Sequence, residues 1–203
     1  MQPNPLREGL DQERVPEPSC LVIFGASGDL TQRKLIPGLY SLAHDGLLPS
    51  GQTIIGFARA EMSDEQFRET MKKACNEHAR TRPVDDAIWE NFARGLFYVQ
   101  GEFADAAAFD RLKARLEEFD GSRGTGGRRI YYLAVPPDFF ATISTTVSFM
   151  PRFRMVSIIP GIESRAPERT ETSSGRSLSP SFLFTDLSIL ARAVSTCELS
   201  CGG

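Results

Sequence analysis

The sequence predicts an α/β fold: a partial doubly wound parallel sheet of about four strands, with an irregular N-terminal arm and a poorly structured C-terminal tail. Three observations carry this. Apolar runs of strand length alternate with helix-period segments from Cys20 to about Thr145. The first run is continuous rather than alternating, as a strand covered on both faces requires. That run breaks at Gly25 into a turn of small residues that opens a helix. Strand–helix–strand order of this kind argues for right-handed crossovers with helices on both faces of the sheet.

The elements follow in order. Cys20, Leu21, Val22, Ile23 and Phe24 form the first strand. In the turn Gly25-Ala26-Ser27-Gly28, Gly25 can take backbone angles forbidden to a side chain. Gly28 removes a Cβ where a pyrophosphate would approach the N–H groups of the next helix. That helix spans about Leu30 to His44, with Leu35, Leu39, Leu42 and Ala43 apolar at helical spacing. Pro37 lacks an N–H, so it must fall in the first turn or kink the helix. Gly46 ends the helix, and Pro49, Ser50 and Gly51 turn into a second strand, Thr53 to Ala58.

Ser63 and Gln66 have capping-box spacing before a helix whose face carries Phe67, Met71, Ala74 and His78. A shorter helical piece runs from about Asp85 to Phe92, then a strand from Leu96 to Gln100. Asp105 caps a helix with Phe109, Leu112, Leu116 and Phe119 on one side. The stretch Gly121 to Gly127 (GSRGTGG) follows a helix and precedes a strand, the reverse of a phosphate cradle, and reads as a connection. Ile130 to Val135 is the fourth strand, ended by Pro136 and Pro137. Ligands of such sheets lie beyond the carboxyl ends of the strands where strand order reverses, which puts the Gly25–Gly28 turn at the binding position.

Composition narrows the partners. The 203 residues allow one sizeable core plus a tail, and the net charge of −3, with arginines scattered among acids, excludes a nucleic-acid surface. The cysteines Cys20, Cys75, Cys197 and Cys201 are too dispersed for a disulfide framework or a zinc site. Residues 1–19 are charged and proline-rich with no apolar stretch, so they read as a disordered arm rather than a signal peptide. No run approaches the roughly 18 apolar residues that span a bilayer, and the expectation is a cytoplasmic protein without a membrane partner.

Arg59 closes the second strand, and no carboxylate precedes it there. NAD sites commonly place Asp or Glu at this position for the ribose 2′-hydroxyl, whereas a planar guanidinium suits the 2′-phosphate of NADP. Arg59 therefore points to NADP.

The string GASGDLTQRKLIPGLYSLAHDGLLP, from Gly25 to Pro49, resembles the opening signature of glucose-6-phosphate dehydrogenases. The likeness continues through TIIGFAR (Thr53–Arg59), FYVQGEF (Phe97–Phe103) and IYYLAVPP (Ile130–Pro137), covering about residues 20 to 140. It implies an NADP-binding, Rossmann-type domain over 20–145 in which Gly25, Ala26, Ser27, Gly28, Asp29 and Leu30 line the cofactor and Arg59 contacts its 2′-phosphate. A carboxylate beside a pyrophosphate is repulsive, so Asp29 is expected to bond turn or helix N–H groups instead. Lys34 matches a lysine near the sugar phosphate. Pro136, Pro137 and Phe140 match a segment by the nicotinamide, and Glu102 and Phe103 one by the adenine or ribose. The family oxidises glucose 6-phosphate to 6-phosphogluconolactone with NADP as hydride acceptor, in the pentose phosphate pathway, and is homo-oligomeric.

Hydride transfer also needs a base for the C1 hydroxyl proton and cations for the phosphate. The family's Asp-His-Tyr and Glu-Lys-Pro segments have no counterpart here, so no catalytic residue is assigned. His44 and His78, the only histidines, read as structural or surface groups. Residues 141–203 contain no Lys, Tyr or Trp, and 19 of the 63 are Ser or Thr, which sets them apart as a tail (146–203) unlike the family. The stretch APERTETSSGRSLSPS reads as disorder, and Phe182 to Val194 as a short amphipathic helix. A reading-frame shift near residue 140 would produce such a change. The alternative to an active dehydrogenase is therefore a non-catalytic NADP-binding fragment or a frameshifted product.

Overall fold

A computed structural model describes residues 16–148 and 155–156. The readings for arm residues 1–15, the stretch 166–181 and the helix 182–194 lie outside the described residues. Strands β1 (Cys20–Phe24), β2 (Thr53–Ala58), β3 (Leu96–Gln100), β4 (Arg129–Leu133) and β5 (Met155–Val156) form one parallel sheet in the order β3-β2-β1-β4-β5. Four strands are full length, as expected, and the fifth is a two-residue addition beside β4. Strand β4 starts one residue earlier and ends two earlier than Ile130–Val135; the Ala134 N–H donates to the Phe24 carbonyl at 2.9 Å as the last rung between β1 and β4, where β1 itself ends.

Helix α1 (Ile36–His44) is preceded by a π-helical turn, Thr31–Leu35. The turn reconciles Pro37 with a helix. The proline ring would crowd the carbonyl four residues back in a regular α-helix, and the wider i to i+5 spacing relieves it. Helix α2 (Asp64–His78) opens with the expected capping box: Gln66 N–H donates to Ser63 Oγ at 3.2 Å, and Ser63 N–H to Gln66 Oε1 at 2.9 Å. Its inward residues are Phe67, Met71, Ala74 and Cys75, whereas His78 is half-buried at the helix end. Helix α3 (Asp86–Ala93) is capped by Asp85 and α4 (Ala106–Ser122) by Asp105. Because α4 runs to Ser122, the glycine-rich connection starts later than Gly121, and Gly124, Gly126 and Gly127 adopt positive φ there. Helix α5 (Phe140–Ser148) follows a 3-10 turn at Pro137–Phe139.

Each face of the sheet buries its own core. Leu21, Ile23 and Ile54 meet Leu39 and Tyr40 of α1, Phe67 and Met71 of α2, and Trp89 and Phe92 of α3. Cys20, Val22, Phe24, Ile55 and Phe57 meet Phe109, Leu112 and Leu116 of α4 and Ile143 of α5. The continuous apolar strands predicted this double cover. Burial pushes the Cys20 and Cys75 thiols up to about 12, so Cys20 is the inert core residue its position in the strand suggested.

Strand β3 is an edge, and charged side chains close it. Arg68 Nε donates to the Leu96 carbonyl at 3.0 Å, Tyr98 N–H donates to Asp64 Oδ1 at 2.7 Å, and Arg111 Nη2 donates to the Gln100 carbonyl at 3.0 Å. Arg115 holds the second oxygen of Asp64 at 2.9 Å. Three outward backbone groups of the edge are thus occupied rather than offered to another strand.

Candidate functional site

Strand order reverses between β2 and β4 on either side of β1, so the carboxyl end of β1 is the crevice where such sheets bind ligands. The turn after β1 lies there. Gly25 has φ +84°, and a Cβ on it would stand 2.3 Å from the Ala134 carbonyl oxygen. Its N–H donates to the Phe57 carbonyl at 2.9 Å, tying the turn to β2.

Three of the turn's four carbonyls, those of Gly25, Ser27 and Gly28, are bound inside the protein. Gly28 N–H and Thr31 Oγ1 donate to Gly25 O at 2.9 and 3.3 Å, Gln32 Nε2 donates to Ser27 O at 2.9 Å, and Gln32 N–H to Gly28 O at 3.2 Å. The Ser27 and Asp29 N–H groups, by contrast, meet no acceptor among the described residues. Donors left open at a helix start, with these carbonyls engaged elsewhere, favour an anion.

A cleft of about 400 Å³ opens over this turn, lined by Gly25, Ser27, Gly28, Arg59, Glu102 and Phe103, with Ala134 to Pro136, Phe139 and Thr142 on the far side. That size suits a cofactor. Arg59 reaches it from the end of β2 and forms no ion pair among the described residues. The backbone beneath it is held by the Tyr98 hydroxyl, whose single proton is shared between the carbonyls of Ala58 and Ala60 on either side. Burial pushes that phenol up to about 12, so it stays a donor at neutral pH. Sequence reasoning missed Tyr98. Its signal would have been a tyrosine two residues before the end of the neighbouring strand.

Other candidates stand apart from the cleft lining. Ala26 is fully buried, its methyl filling the space that a Cβ on Gly56 would need, 2.8 Å away. Leu30 is 44% exposed. Lys34 is half-buried on the π-helical turn. The expectation that Asp29 bonds turn N–H groups is corrected: it follows Gly28, whose carbonyl accepts the first helical bond from Gln32 N–H, and its carboxylate pairs across one turn with Arg33 at 3.6 Å. Near the cleft's far wall, Pro136 and Phe139 line it where Pro137 and Phe140 do not, because the 3-10 turn rotates the segment. Phe103 and Phe139 meet edge to face at 5.2 Å.

His44 pairs with Asp45 at 3.0 Å and His78 lies 3.6 Å from Glu77, both at helix ends away from the cleft lining. No cluster of His, Cys, Asp or Glu among the described residues could hold a metal ion, and no helix among them is long and apolar enough to cross a membrane.

Residues 22–156 match the family model for the NAD binding domain of glucose-6-phosphate dehydrogenase, reaching past residue 145 to include β5. The glucose-6-phosphate 1-dehydrogenase 2 of Mycobacterium tuberculosis is 42% identical over 142 residues, 69% of this chain and 27% of that protein. The glucose-6-phosphate 1-dehydrogenase of Chlamydia pneumoniae is 44% identical over 135 residues, covering 66% and 26%. A solved glucose-6-phosphate dehydrogenase in complex with its substrate glucose 6-phosphate superposes with a TM-score of 0.62 at 30% identity, over 70% of this chain and 30% of that one. The chain thus spans about a quarter of the length of the curated relatives it matches.

Proposed function

The chain belongs to the glucose-6-phosphate dehydrogenase family, and from that premise we propose that its crevice binds NADP as the cofactor portion of an enzyme oxidising glucose 6-phosphate at C1. The observation that carries the reading is Arg59, a guanidinium without a carboxylate partner among the described residues, entering the same cleft as the open N–H groups of the Gly25–Gly28 turn.

The residues fit a dinucleotide. The space a Cβ on Gly25 would fill is kept clear against Ala134, and the free N–H groups of Ser27 and Asp29 can receive a pyrophosphate. The Ser27 hydroxyl is exposed at the same point and adds a donor. Arg59 can take the 2′-phosphate through two parallel hydrogen bonds. Pro136 and Phe139 would offer an apolar wall to the ring half of the cofactor. When bound, the nicotinamide accepts hydride from the sugar. Neither histidine reaches the cleft, so the base for the C1 hydroxyl proton is assigned to no residue of these 203, and the chain by itself is expected to bind without turning over. On this reading the binding domain extends past residue 145 to β5, with which the family match ends, and the residues after it have no assigned role in holding the cofactor.

Calorimetric titration of the chain with NADP and NAD tests this. Saturable NADP binding is expected, weakened by Arg59→Ala on the order of tenfold or more for NADP and little for NAD, as loss of a charge-assisted contact of about 1.5–3 kcal/mol implies. Equal losses for both cofactors would remove Arg59 from its role. Sustained NADPH formation from glucose 6-phosphate by this chain would overturn the absence of a base.

A further inference from the structure

We propose that Glu102 is a second determinant of cofactor choice, working against Arg59 in the same cleft; this rests on the nicotinamide-dinucleotide reading above. The register of the two outer strands sets the juxtaposition. Ala58 pairs with Gln100, Gly101 N–H donates to the Ala58 carbonyl at 3.0 Å, and Gln100 Nε2 reaches the Arg59 carbonyl at 3.5 Å. The chain leaving β3 therefore runs beside the chain leaving β2. Gly101 fixes its direction, since a Cβ there would stand 2.2 Å from Ala108 Cβ and 2.8 Å from the Phe57 ring. Asp105 N–H then donates to the Glu102 carbonyl at 3.1 Å, which turns the chain into α4. Glu102 is exposed, lines the cleft with Arg59, and makes no ion pair or side-chain hydrogen bond among the described residues.

The two charges are thus offered separately to whatever occupies the adenosine end. A ribose without a 2′-phosphate presents hydroxyl donors, which a carboxylate accepts. A ribose carrying the phosphate presents negative charge, which Arg59 attracts and Glu102 repels. The carboxylate that β2 lacks at its own end is supplied by β3, and the cleft discriminates less sharply than Arg59 alone would make it do. Glu102→Gln keeps the size and the hydrogen-bonding capacity while removing the charge, so it sharpens the preference for NADP. Arg59→Ala leaves Glu102 in place and turns the preference toward NAD.

The test is the ratio of Kd for NAD to Kd for NADP, measured calorimetrically on the chain and its variants, with 2′,5′-ADP against 5′-ADP as fragments that isolate the same end. Glu102→Gln is expected to raise the ratio on the order of threefold to tenfold, with the gain shrinking as ionic strength rises from about 0.05 to about 0.5 M. Glu102→Asp, which keeps the charge, should leave it close to that of the parent chain. An unchanged ratio in Glu102→Gln, with both cofactors still bound, overturns this proposal and spares the cofactor reading. Failure of the folded parent chain to bind either dinucleotide overturns both.

Discussion

Replacing Gly25 by alanine perturbs the turn on which the site is built, and the chain carries its own control. Gly25 and Gly46 both adopt positive φ, +84° and +71°. An L-residue held there loses about 1–2 kcal/mol, offset by about 0.4–1 kcal/mol because alanine restricts the unfolded chain. At Gly46 that is the whole effect, since nothing lies within 4 Å of an added Cβ, and Gly46→Ala should cost about 1 kcal/mol or less. At Gly25 the added methyl would also stand 2.3 Å from the Ala134 oxygen and 2.9 Å from Val135 Cγ1, so the β1 and β4 ends must separate. Overpacking of this kind adds about 1–3 kcal/mol. Urea denaturation of the two variants therefore should give a cost for Gly25→Ala about 1–3 kcal/mol larger. Dinucleotide titration should find binding lost in Gly25→Ala and retained in Gly46→Ala, whose site is at the far end of α1. Costs equal within about 0.5 kcal/mol, near the limit of such measurements, would refute the claim that contact between the Gly25 turn and the end of β4 forbids a side chain.

Two further outcomes follow from the charged groups. Asp64→Ala strips the Tyr98 N–H of its acceptor on the edge strand and should destabilise the domain by about 1–3 kcal/mol; Asp64→Asn, which keeps an acceptor, should recover most of that in the same urea assay, and an alanine variant as stable as the parent would mean the edge is not held this way. Asp120 accepts from Thr125 Oγ1 at 2.7 Å, Gly127 N–H at 2.9 Å and Arg129 Nη2 at 2.6 Å. Burial raises its pKa, but these bonds outweigh burial and hold the carboxyl below the usual range. A lowered folded-state pKa contributes stability that is complete above the unfolded value, about 3.9, and is lost as pH falls through the folded one. Asp120→Asn should accordingly be less stable at neutral pH and show a shallower loss of stability below about pH 4.

Much of the architecture was legible in the sequence because it is written in short-range terms. The strand at Cys20–Phe24, the Ser63–Gln66 box and the Asp105 cap depend on neighbours a few residues away, and each falls where its pattern put it. Arg59 and the glycine turn were legible for the same reason, one closing a strand and the other opening a helix. What went unread depends on residues far apart in the chain. Asp29 is a local exception: the Gly28 carbonyl already accepts the first helical bond from Gln32, so the Asp29 carboxylate faces Arg33 one turn on instead of capping. Tyr98 supports the backbone at Arg59 from 38 and 40 residues away, a relation set by strand register.

The sequence by itself determined that this chain is a parallel α/β domain with a glycine turn between its first strand and first helix, since backbone freedom, apolar runs and helix caps are local properties of the residues. Only the tertiary structure decided what shares the cleft. Sheet order set β2 and β3 side by side, brought Arg59 and Glu102 into one space, and placed Ala134 against Gly25. Which charges face one ligand depends on how strands pair across the sheet, and that pairing is settled by burying both faces at once.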